Sequence, residues 1–107
     1  MANPYRGEAE LVLAGKTYPL RLTLGALAEL ETAFGVEGLG ALGTRLGAGG
    51  LSARDLIHLL APLMRGGGAR FGATEVASLV EASDLPAVVA AISACFAAAL
   101  PEDAPSP

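Results

Sequence analysis

One histidine, one cysteine, a glycine run between arginines and a glutamate on an apolar helix face are the residues here whose types could do chemistry. His58 and Cys95 are the pair that nucleophilic catalysis would use, a thiolate activated by a neighbouring base. Their settings point elsewhere. On a helical wheel His58 falls beside Arg54 and Arg65, on the polar side of its segment. Cys95 sits at the edge of an apolar stripe, where a thiol acts as a small hydrophobe. A metal centre needs about four ligands at fixed spacing, which one His, one Cys and scattered carboxylates do not supply. "RGGGAR" at 65–70 has the glycines of a phosphate cradle but lacks the Lys and the Ser or Thr that complete one. It reads as an inter-helix loop or a mobile contact segment, with Arg65 and Arg70 as candidate contacts to a partner. No enzyme activity, metal or cofactor is expected.

The elements that would carry these residues follow from periodicity. "EAELVLAG" and "KTYPLRLTL" alternate with period 2 around a glycine turn, as an antiparallel hairpin does. In the first strand Leu11 and Leu13 share a face; in the second Tyr18, Leu20, Leu22 and Leu24 point one way and Thr17, Pro19, Arg21 and Thr23 the other, and Pro19 marks an edge. From Leu24 the period becomes helical. Leu24, Leu27, Leu30 and Phe34 gather on one side, Thr23 is the N-cap, Gly25 gives room at the corner and Gly35 closes the helix. A short helix is expected at about 37–46. Ser52 and Asp55 frame a capping box before "LIHLLAPLM", whose Pro62 should kink or weaken the final turn. A helix starting near Thr74 turns Val76, Leu79 and Val80 inward. Asp84 caps the last helix, whose expected core stripe is Leu85, Val88, Val89, Ile92, Phe96 and Leu100.

This order predicts an α+β, mostly helical domain over 1–100, a two-stranded antiparallel hairpin packed on four to five short helices, with 101–107 as a disordered tail. The chain has 107 residues, 52% hydrophobic and 17% charged, enough for one modest core. A net charge of −4 offers no basic field for nucleic acid. The longest apolar run, 16 residues, is shorter than the ~20 a membrane span needs, and no signal-peptide layout is evident. A single cysteine fits a reducing, cytoplasmic setting.

Two details bear on partners. Opposite the expected stripe of the last helix lie Ala87, Ala90, Ala91, Ala94, Ala97 and Ala98, without a charge between 85 and 100. Alanine is a good helix former in an alanine-rich chain, but a smooth face also lets a partner approach closely. Ala87, Ala91, Ala94 and Ala98 are therefore candidate partner-binding positions, and self-association is expected. The second detail is Glu31, which falls between Leu24 and Leu27 on the wheel. It is expected to reach water or pair structurally with Arg21 or Arg45, while Glu29 is solvated.

"NPYRGEAELVLAGKTYPLRLTLGALAELETAFG", followed by "LSARDLIHLLAPLMRGGG", resembles the small tail-assembly proteins of gene transfer agents and siphophage-like elements of alphaproteobacteria. The matching residues include Asn3, Arg6, Gly7, Glu8 and Gly15, then Leu22 to Leu27, Leu30 and Glu31, and finally Asp55 and Arg65 to Gly68. Thr23, Gly25, Glu31 and Gly35 are taken as its structural signature. The resemblance spans about residues 3–70. It implies a tail assembly chaperone that binds the tape measure protein during assembly, with the tail tube protein as a further candidate partner. The alternative it implies is a structural tube or connector subunit. Two short strands favour the chaperone, since a tube wall needs several long ones.

Overall fold

The computed structural model describes residues 7–97, so the expected tail at 101–107 and the expected core residue Leu100 lie outside the described residues. β1 (Glu8–Leu13) and β2 (Lys16–Arg21) form the expected antiparallel hairpin, with Leu13 opposite Lys16 and Glu8 opposite Arg21. Its turn is Ala14–Gly15, φ 53° and 77°, the left-handed pair that a two-residue hairpin loop requires. Ala9, Leu11 and Leu13 of β1 and Leu20 of β2 are buried beneath the sheet.

Five helices follow: α1 (Leu24–Phe34), α2 (Leu39–Gly47), α3 (Ala53–Gly66), α4 (Ala73–Leu79) and α5 (Leu85–Ala97), with a 3-10 turn at Ala82–Asp84 before the last. The architecture is α+β and mostly helical, as the periodicity predicts. α3 is the centre. β2, α1, α4 and α5 all pack against it, while β1 lies on α5 and α2 on α1. Its run Leu59–Met64 is buried on every side, Ala61 and Pro62 included.

The local capping signals hold. Thr23 Oγ1 accepts the Ala26 N–H at 3.0 Å, and Gly35 closes α1 with φ 66°. Ser52 and Asp55 exchange the two bonds of a capping box, at 3.0 and 3.1 Å. α3 contains Pro62 and runs on to Gly66, where the glycine run is expected to stop it. Three expectations are corrected. Leu24 is 81% exposed: as the first residue of α1 its side chain tilts back toward the N-terminus, past the packed zone, and Ala26 takes the buried place. Asp84 closes the 3-10 turn by accepting the Glu81 N–H at 2.9 Å and does not cap α5. The buried arc of α5 is Val88, Ala91, Ile92, Cys95 and Phe96, rotated from the expected stripe because β1 covers the Ala91–Cys95 side. Val89, at 49%, and Leu85, at 38%, are left exposed.

Candidate interaction surfaces

The glycine run has a definite structural task. Gly66 ends α3 and Gly67 follows with an ordinary φ of −84°, and both lie flat against the outer edge of β2. A Cβ on Gly66 would collide with the Arg21 carbonyl and one on Gly67 with the Pro19 carbonyl. The segment is the expected inter-helix loop, between α3 and α4, and its glycines form a close-approach seam between helix and hairpin. Arg65 belongs to the same seam: its guanidinium pairs with Glu29 and donates to the Phe71 carbonyl at 2.8 Å. Glu29, expected to be merely solvated, thus ties α1 to α3, and Arg65 is a structural cross-link. Arg70 is exposed.

Glu31 meets neither arginine. Its Oε2 accepts the Gly38 N–H at 2.8 Å and so orders the loop into α2. Arg21 pairs instead with Glu8 at 2.5 Å. Arg45 lies 3.6 Å from Asp55 and 5.4 Å over the Phe34 ring. The Ser52 backbone N–H, then the Arg45 charge, hold the Asp55 carboxyl below its usual 3.8. Cys95 is fully buried, and burial, with the Glu8 charge adding to it, pushes its thiol up to about 11, far from a reactive thiolate. His58 is exposed, whereas Cys95 is buried, and no hydrogen bond joins them. Among the described residues no group of His, Cys, Asp and Glu is placed to hold a metal.

The alanine positions separate. Ala87 is exposed, Ala94 half-buried and Ala91 buried in the core at 6%, so Ala91 cannot lie on a free face of the folded domain. Ala98 lies outside the described residues. What the helix wheel missed is a pair of apolar grooves flanking α5. One, of about 280 Å³, lies between α3, α4 and the start of α5, with Ile57, Leu60, Val80 and Leu85 in its walls. The other, of about 360 Å³, lies between α2, α3 and α5, with Leu46, Leu59, Val89 and Phe96 in its walls. Leu56 faces both. Among the described residues Glu81 is the only charged one lining either groove. The sequence signal for them was the breadth of the apolar arc on α3, wider than one neighbouring helix can cover.

A fold held by caps, glycine seams and surface ion pairs, with an apolar groove on each side of α5, is equipped for protein contact. A family model described as phage tail tube protein, GTA-gp10, matches residues 6–102. The chain belongs to this family. The resemblance seen in the sequence is thereby shown as far as a phage or gene-transfer-agent tail protein, and it extends through the C-terminal third, which the sequence motifs had left out. Comparisons with curated proteins and with solved structures give no match. Within the GTA-gp10 family frame, Thr23, Gly35 and Glu31 are residues that shape the chain, each bonded to its own neighbourhood. Gly25 has open space beside it apart from the Thr23 hydroxyl at 3.8 Å.

Proposed function

We propose that this protein is a non-enzymatic component in the building of a phage-like tail, working through self-association and contact with other tail proteins. The observation that carries the reading is the family match over residues 6–102. The description of that family speaks most directly for a structural part, a tube or connector subunit, and this role stands first. The apolar grooves beside Leu85 and Val89 are the surfaces through which subunits would meet.

A second role, that of a chaperone holding the tape measure protein during assembly, is favoured by the fold itself. The described residues contain two strands of six residues each, a small sheet for a subunit of a strand-built wall. The same grooves suit capture of an amphipathic helix. Mass spectrometry of purified particles separates the roles: stoichiometric presence supports the structural part, and absence from particles despite expression in producing cells supports the chaperone. Pull-down with the tape measure as bait tests the second role directly. Val89→Glu, on the exposed rim of α5, should leave the circular dichroism spectrum unchanged while abolishing the contact in either role. Particles assembled normally with Val89→Glu would remove this surface from the reading.

A further inference from the structure

The hydrogen-bond alternation of the hairpin is fixed by its two-residue turn. Leu13 and Lys16 close the turn as a bonded pair, so Leu11–Tyr18 and Ala9–Leu20 are bonded pairs and Val12–Thr17 and Glu10–Pro19 are not. Leu22 N–H donates to the Gly7 carbonyl at 2.9 Å, where this alternation requires it. Glu10 and Val12 therefore turn their N–H and C=O groups away from β2, and neither residue makes a backbone bond to any other element. Both are exposed, Val12 at 56%.

The outer edge of β2 is closed. Pro19 has no N–H to offer, and the Pro19 and Arg21 carbonyls face Gly67 and Gly66 too closely to admit even a methyl group. The sheet can grow on one side only. Under β1 runs α5, with the Cys95 carbonyl beneath Gly7. On the wheel, the flank of α5 turned away from the two grooves carries Ala87 and Ala94, and their short side chains leave room for a strand laid beside β1.

We infer that the outer edge of β1, at Glu10 and Val12, takes up an extended segment of a partner protein as a third strand, with Lys or Arg opposite Glu10. The charge follows from the exposed face of the sheet. Glu8 is engaged by Arg21, whereas Glu10 has no ion partner among the described residues. A strand beside β1 brings a side chain to roughly 5 Å from Glu10, where opposite charge stabilises and like charge destabilises. A second copy is a poor occupant. Its β2 edge is closed, and its β1 would gather Glu8 and Glu10 of both copies on one face. The inference stands apart from the choice between tube subunit and chaperone.

Amide exchange and NMR titration of the full chain test it with two blocked peptides, Thr-Val-Thr-Lys-Thr-Val-Thr and the same sequence with Glu in place of Lys. The Lys peptide should slow exchange at the Glu10 and Val12 amides and bind roughly threefold to tenfold more tightly than the Glu peptide. Glu10→Lys should reverse that order, and N-methylation of alternate peptide amides should abolish uptake. Unchanged exchange at both amides, equal binding of the two peptides, or full binding of the N-methylated peptide overturns the inference. So does protection of the two amides in concentrated protein alone, which would make a second copy the occupant.

Discussion

Gly67→Ala should destabilise the domain although its backbone favours the change. Gly67 has φ −84° and ψ −1°, a conformation alanine adopts freely, so unfolded-state entropy alone predicts a gain of about 0.4–1 kcal/mol. The added Cβ would fall 2.6 Å from the Pro19 carbonyl carbon and 3.2 Å from the Leu20 nitrogen, and closer still to the Pro19 oxygen. These are backbone atoms of a strand whose Leu20 is 1% exposed, so no side-chain rotation relieves the clash. The end of α3 must retreat from β2 by about an ångström, loosening contacts around Leu63 and Met64 in a close-packed interior. Overpacking of this kind costs about 1–3 kcal/mol, which exceeds the backbone gain. A net loss of about 1.3 kcal/mol should lower the melting temperature by roughly 5–10 °C. Gly40→Ala is the control: it lies inside α2 with nothing within 4 Å of a Cβ, and should raise stability by about 0.5–1 kcal/mol. Thermal melts followed by circular dichroism compare the two. A Gly67→Ala protein that melts at or above the parent would refute the seam.

Ala14 carries the one positive φ among described non-glycine residues, 53°, so Ala14→Asn should raise the urea midpoint by the equivalent of about 0.5–1 kcal/mol; a lowered midpoint would count against the turn geometry. Glu31→Ala removes the acceptor of the Gly38 N–H and should cost about 0.5–1.5 kcal/mol, while Glu31→Gln keeps an acceptor and should cost less in the same melts. Asp55 has a folded pKa below its usual value, so its contribution is present above 3.8 and is lost as pH falls through the lower folded value. Urea midpoints of the parent should therefore converge with those of Asp55→Asn as pH falls below 3.8, and curves that stay parallel would contradict this.

The features legible in the sequence are those decided within a few residues. Thr23, Gly35 and the Ser52–Asp55 box satisfy backbone groups three or four positions away, so residue type and spacing suffice to find them. The phase of α5 is not of that kind. Hydropathy ranks Leu85 and Val89 above Ala91 and Cys95, but the position of β1 decides which side is covered, and it buries the smaller residues. Glu31 and Glu29 show the same limit. Each has an acidic side chain that several groups could satisfy, and only the docking of α1 on α3 brings Arg65 to Glu29 and leaves Glu31 for the Gly38 amide. In "RGGG" the sequence shows freedom of the backbone, while the structure uses the missing side chains. The grooves are legible only as the broad apolar arc of α3, and their walls are not, since Leu46, Leu56 and Val89 meet only through packing.

The unequal edges of the hairpin bear on how a member of a tail tube family could assemble. A ring of copies joined strand to strand needs every copy to present an open edge on each side, so that one copy's β2 receives the next copy's β1. Here Pro19 and the seam with Gly66 and Gly67 close β2, and the hairpin of the described residues cannot propagate such a sheet by itself. If copies form a ring, its contacts fall on the helical side, where Leu85 and Val89 stand between grooves of about 280 and 360 Å³. The β1 edge then remains for an extended segment of a different protein. In the chaperone role the same grooves stay free of copies and receive an apolar helix instead. Cross-links formed from cysteines placed at Leu85 or Val89 therefore carry the decision: copy-to-copy links mark a structural ring, and links to the tape measure alone mark a chaperone.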